Sequence, residues 1–109
     1  MEDASALLRG RLEGPAAAPA TGELVRRLVG VRNLVVEEIL SGRLDGPVEY
    51  VQDQDEWVAL LAGRARLEVE GEMLELAPGD WVFLPSGLRH TLVETGPGTS
   101  WLAVHLHRD

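Results

Sequence analysis

Pro78 to His90 reads PGDWVFLPSGLRH, and its single histidine follows Gly87 by three residues and Pro85 by five. A neutral imidazole can ligate a divalent cation or move a proton near neutral pH. The plain alternative is a polar residue on the strand after a turn. Other groups with chemistry in them are Tyr50 and Gln52 in "EYVQDQDE", Glu56 at the head of "EWVALLAG", and His105 in the C-terminal "SWLAVHLH". The chain has no cysteine, so thiolate chemistry and disulfides are excluded. It shows no serine–histidine–acid spacing, phosphate loop or nucleotide fingerprint.

The elements that must position these residues are short and extended. "RARLEVE" alternates Arg64, Arg66, Glu68 and Glu70 against Ala65, Leu67 and Val69, the period of a half-buried strand. Glu70-Gly71 turns it into "EMLELA", and Pro78-Gly79-Asp80 turns the chain again. Asn33 to Leu40, "PVEYVQ", "EWVALLA", "DWVFLP", "RHTLVE" and "SWLAVHLH" read as further strands. About eight strands with frequent turns and no long helix predict an all-β sandwich or barrel. "GELVRRLVG" is ambiguous, because Leu24, Val25 and Leu28 would share a helical face. Residues 1–22, with the proline-interrupted "GPAAAPATG", read as a flexible N-terminal arm, in which Ser5 to Leu12 could make a helical turn. Residues 23–109 then form the barrel domain.

A chain of 109 residues fits one domain. Its formal net charge is −8, which repels phosphate backbones and disfavours nucleic acid as a partner. No apolar run approaches the ~20 residues of a membrane helix. The acidic start "MEDASALLRG" argues against a secretory signal, so the expected location is the cytoplasm.

Gly79, Pro85, Gly87 and His90 stand at the spacing of the second motif of the cupin family, which this chain resembles over roughly Val31 to His107. Where that motif ends in asparagine, the chain has Glu94. Glu56 and Gly63 match the glutamate-to-glycine half of the first motif. The two histidines that precede that glutamate in the family are replaced by Tyr50 and Gln52. The sequence looks like a subgroup of small single-domain cupins.

The resemblance implies a jelly-roll barrel whose strand alternation points every second side chain inward. If Gln52 faces in, a continuous extended strand brings Tyr50, Gln54 and Glu56 in as well, while Asp53 and Asp55 face solvent. The corner at Pro85–Gly87 then aims His90 at the same cavity from across the barrel. The implied metal ligands are Gln52, Glu56 and His90, on a divalent ion such as Fe, Mn, Ni or Zn. Tyr50 and His105 are the further cofactor- or ligand-binding candidates. Both faces of the last strand carry apolar groups, so the pattern leaves open whether His105 points inward.

Each sharp reading has a bland one beside it. His90 could be an ordinary hydrogen-bonded histidine, Glu56 could pair with Arg89, and Glu94 could end its strand in water. Trp57, Trp81, Phe83 and Trp101 could line a pocket, but packing explains them as well. Trp57 alternates with Glu56 and points away from the cavity, toward a second layer or a partner. That orientation, with an apolar strand Leu34–Leu40 in need of a neighbour, suggests a homodimer. Three functions stay open: a metal-dependent enzyme of dioxygenase or isomerase type on a small molecule, a non-catalytic metal- or ligand-binding barrel, and an interaction scaffold without metal.

Overall fold

The structure is a computed structural model that describes residues 6–108. Nine strands form two antiparallel sheets: β1 Glu23–Val31, β2 Leu34–Ser41, β3 Val48–Tyr50, β4 Asp55–Ala62, β5 Ala65–Val69, β6 Glu72–Leu76, β7 Trp81–Leu84, β8 His90–Thr95 and β9 Thr99–Leu106. One sheet has the order β1-β2-β9-β4-β7, the other β3-β8-β5-β6. This is the all-β arrangement expected from the strand spacing, and the jelly roll that the resemblance implied.

Every expected strand is present, and "GELVRRLVG" adds β1. Its ambiguity has a structural cause. The pairing of β1 with β2 shifts register between Arg27 and Val29, and that bulge interrupts the alternation. The apolar residues on either side then fall at spacings that mimic a helical face. β2 lies between β1 and β9, so Leu34–Leu40 finds its neighbours within the chain. Its need for a partner strand is therefore no argument for a dimer.

The inner face of the larger sheet can be read in rows. Val35, His105, Glu56 and Leu84 lie side by side across β2, β9, β4 and β7. The next row is Glu37, Ala103, Val58 and Val82, and the third is Ile39, Trp101 and Leu60. On the smaller sheet, Tyr50, His90 and Val69 form one row, and Leu92 and Leu67 pair in the next. The buried core of Leu60, Leu67, Leu84, Leu92 and Trp101 closes one part of the space between sheets. The polar row sits above it.

The segment expected as an arm lies against the outer face of β2. Glu38 alternates with Glu37 and so faces outward, yet it is fully buried. Its carboxylate accepts the backbone N–H groups of Glu13 and Gly14, both at 3.0 Å, and Nη2 of Arg26 at 2.9 Å. Backbone hydrogen bonds among Ala20, Gly22, Gly42 and Arg43 continue the attachment. A short 3-10 turn at Pro15–Ala17 is the helical structure here; Ala6 to Leu12 are not helical, and Ser5 lies outside the described residues.

Candidate functional site

Local geometry first fixes the corners. In Pro85-Ser86-Gly87-Leu88 the Leu88 N–H donates to Pro85 O at 3.1 Å, and Gly87 has φ of +82°. That positive φ at the third position is the type II turn, which glycine adopts without a steric cost. The Gly87 N–H also donates to Gln52 O at 2.8 Å, so the corner clamps the β3–β4 connection. At the other motif, Gly63 has φ of +84°, and a Cβ there would run into Thr99. The family-spaced glycines are thus needed for backbone shape, which explains why the fold was legible from them.

Tyr50, Gln52, Glu56, His90 and His105 all line one cavity of about 190 Å³ between the sheets. They reach it differently from the single extended strand that the alternation suggested. β3 ends at Tyr50, residues 51–54 cross from one sheet to the other, and β4 begins at Asp55. Gln54 meets His105 Nδ1 at 3.4 Å. Asp55 accepts the Ser86 N–H at 2.8 Å and so braces the corner instead of facing only solvent. Glu94 is exposed at its strand end, and Arg89 is exposed without pairing to Glu56.

The sequence reading missed two acidic lining residues, Glu23 and Glu37, while Trp101, weighed there as pocket wall or packing, lines the cavity. A signal for Glu37 existed. Two adjacent glutamates in the apolar run "VVEEIL" must point to opposite faces, and each needs a polar partner if buried. Glu38 found the arm. Glu37 found His105, whose Nε2 lies 2.9 Å from Glu37 Oε1. The bond is diagonal across the strands. Ala103, directly opposite Glu37, is too small to obstruct it. The inward face of β9, left open by the sequence, is therefore the one with Trp101, Ala103 and His105.

Glu56 is the odd group. It is 7% exposed, and its carboxyl makes no hydrogen bond among the described residues; His105 Nε2 is 3.9 Å away. Burial pushes its pKa above the ordinary glutamate value. The charges of His105 and His90 pull it down, and those of Glu37 and Glu23 push it up again. His90, 5% exposed, stands across the cavity on β8, with Nδ1 3.1 Å from Leu88 O. A carbonyl oxygen only accepts, so Nδ1 carries a proton, and Nε2, without a hydrogen-bond partner among the described residues, keeps its lone pair whenever the ring is uncharged. Tyr50 stacks on His90, with ring centroids 5.5 Å apart. Its hydroxyl donates to Glu23 at 3.2 Å, a bond that ties the edge strands β3 and β1 of the two sheets. Burial, with the nearby Glu23 carboxylate, raises the Tyr50 pKa to about 12.

This donor set does not fit the metal centre that the resemblance implied. Where two histidines would stand, Gln52 is a weak ligand and Tyr50 is held as the neutral phenol. His105 has turned its Nε2 to Glu37. Among the described residues, no group of three or more His, Asp or Glu side chains is placed to hold an ion. The expected ligands Gln52, Glu56 and His90 share a cavity without forming a coordination sphere.

The comparisons agree with the fold. A family model described as "Cupin domain" matches residues 35–106. A Ralstonia eutropha protein titled "putative mannose-6-phosphate isomerase" is 34% identical, with a TM-score of 0.79, over 94% of this chain and 100% of its own. A cupin superfamily protein of Desulfitobacterium hafniense is 17% identical with a TM-score of 0.74, over 99% of this chain and 100% of its own. The polyketide cyclase RemF of Streptomyces resistomycificus is 23% identical with a TM-score of 0.66, over 93% of this chain and 81% of its own. A comparison with curated proteins gives no match. With the family's glycines shaping its turns, and both a family model and a one-third-identical relative spanning most of its length, the chain belongs to the cupin family.

Proposed function

We propose that this cupin is an isomerase-like enzyme that moves a proton on a small molecule held between its sheets, with Glu56 and His90 as the acid–base pair. The observation that carries the reading is Glu56: buried, raised in pKa, and without a hydrogen-bond partner at a cavity wall. Its carboxyl oxygens open onto the cavity, where a ligand or water can meet them. His90 Nε2, its lone pair free, takes a proton from a carbon beside a carbonyl. The C–H electrons move into a carbon–carbon double bond, and the carbonyl oxygen takes the Glu56 proton. His90 then returns the proton to the former carbonyl carbon while the neighbouring hydroxyl gives its proton to Glu56, which makes the new carbonyl and restores both groups. A carboxyl whose pKa burial raises suits the role of general acid. His105, anchored by Glu37, bears on Glu56 from behind and holds its position. Dioxygenase chemistry would need a bound metal, and the ligand geometry gives no support for one. The names of the isomerase- and cyclase-titled relatives are compatible with proton transfer.

The test is hydrogen exchange. A panel of small α-hydroxy and α-amino ketones is incubated with the protein in D₂O, and deuterium uptake beside the carbonyl is followed by NMR. Uptake is expected with the wild type and to fall by roughly two orders of magnitude or more in Glu56→Gln and in His90→Ala. Equal uptake in the variants would reject the assignment, and no uptake with any ketone would leave a binding protein.

A further inference from the structure

The cavity is rich in acceptors and poor in free donors. Glu37 Oε2 and both Glu56 oxygens have no partner among the described residues, and His90 Nε2 is an acceptor in the neutral ring. Most donors nearby are already engaged: Tyr50 on Glu23, Trp101 Nε1 on Ser41 Oγ at 3.1 Å, and the Ser41 hydroxyl on Glu23 at 2.6 Å, which leaves the neutral amide of Gln52. The charge is one-sided too. Glu23, Glu37 and Glu56 line the space, and no arginine does. That is not a shortage of cations, because the chain has ten arginines and no lysine. Arg26 pairs with Glu38 on the outer face, Arg64 and Arg66 flank a separate groove, and Arg108 donates to Ser86.

We propose that the ligand of this cavity is a small organic cation, an ammonium on an apolar body, and that the site rejects phosphorylated and carboxylated molecules. The inference rests on the reading of the cavity as a ligand site and names its substrate class. An ammonium supplies N–H donors to Glu37 Oε2 and to the carbonyl oxygen of Glu56, which bears the proton of the proposed reaction, and its charge offsets the Glu37 carboxylate. Trp101 and Tyr50, aromatic rings able to attract a cation, stand among the lining residues. Val58, Leu67, Leu84 and Leu92 take the apolar body. A volume of about 190 Å³ lies below the ~300 Å³ at which drug-sized pockets begin, which sets a small ligand. A phosphate would need a bidentate cationic clamp and would meet three carboxylates instead. The isomerase title of the Ralstonia relative names a phosphorylated sugar, and this cavity lacks the charges to hold one.

Four probes that share one apolar body decide the matter: benzylammonium, benzyl alcohol, benzoate and phenyl phosphate, titrated into the full-length protein at pH 7.5 by calorimetry and NMR. Benzylammonium is expected to bind at least roughly tenfold tighter than the alcohol, about 1.4 kcal/mol, and the two anions to show no binding at millimolar concentration. Glu37→Gln and Glu56→Gln are expected to remove the ammonium preference and keep the alcohol's affinity, with unchanged amide spectra elsewhere. Anions that bind as tightly as benzylammonium would overturn the charge argument while sparing the ligand cavity. Binding of none of the four would overturn the cavity reading itself. Zinc that displaces benzylammonium and shifts His90 and Glu56 together would mark a metal centre and overturn the proposal.

Discussion

Glu56 is held in the fold at a cost that its surroundings only partly offset. Two imidazoles lower its pKa and two carboxylates raise it, but burial is the largest influence and leaves it above the ordinary value. The sign of the stability effect follows. Between the unfolded and folded pKa values the native state binds the extra proton, so stability falls as pH rises through that window. Below it the penalty is absent; above it the penalty is complete. Glu56→Gln, neutral at every pH, is therefore expected to raise the melting temperature at pH 8 and to leave it nearly unchanged at pH 4, as read by calorimetry at both values. A lower melting temperature at pH 8 would mean that the carboxylate has a stabilising partner. Of this residue the sequence made its place in the motif legible, but not its loneliness. Arg89, a plausible partner by charge, is exposed and unpaired with it. The imidazole that could have joined it is drawn to Glu37, 68 positions away along the chain.

Among the elements, β2 carries two adjacent glutamates to opposite ends of the molecule's chemistry. Glu37 serves the cavity, and Glu38 fastens the N-terminal segment. Burial pushes the Glu38 pKa up, but the N–H groups of Gly14 and Glu13 and the Arg26 guanidinium outweigh it, so the net shift is downward. This attachment is present above the ordinary glutamate pKa and is lost as acid titrates the folded carboxylate. Arg26 Nε is already buried without a partner, so Arg26 depends on its Nη2 contacts with Glu38 and with Arg11 O. Arg26 is 37% exposed, so solvent screens the ion pair, and losing the Glu38 carboxylate costs about 2 kcal/mol, chiefly through the two backbone N–H groups left unpaired. Glu38→Ala is expected to lose about that much in urea unfolding, and to expose Arg9 and Arg11 to trypsin under native conditions. Glu38→Gln, which keeps the shape, should show the same protease sensitivity in weaker form; protection equal to wild type would show that the segment is held by its backbone bonds alone. The strands from β2 onward were legible because alternation and glycine turns act locally. β1 was obscured by its bulge, and the corner at residues 51–54 by the assumption of one continuous strand. The inward face of β9 could not be chosen because its outer face is apolar as well.

That second apolar face matters for the molecule as a whole. On the outside of the larger sheet, Trp57, Ala59 and Leu61 of β4 lie beside Leu102, Val104 and Leu106 of β9 and Trp81 and Phe83 of β7. Trp57 and Trp81 touch, with ring centroids 6.2 Å apart, while Trp81 is 60% and Phe83 53% exposed. Exposed aromatic surface of this kind is uncommon on a monomer. A partner bearing the same net charge of −8 is repelled least where charge is sparse, and on that face these three strands present only Asp55, at one end, where its carboxylate accepts the Ser86 N–H. A second copy, related by a two-fold axis that lays Trp81 and Phe83 of each chain against the other sheet, satisfies both conditions. It would leave the β1 and β3 edge of the fold, where Tyr50 meets Glu23, away from the contact. Sedimentation at micromolar concentration is expected to show a dimer. Trp81→Ser and Phe83→Ser, which alter exposed side chains, are each expected to weaken it by about 2 kcal/mol without lowering the binding of cavity ligands. A wild-type chain that sediments as a monomer at tens of micromolar would remove the dimer, and leave the aromatic face to a different partner.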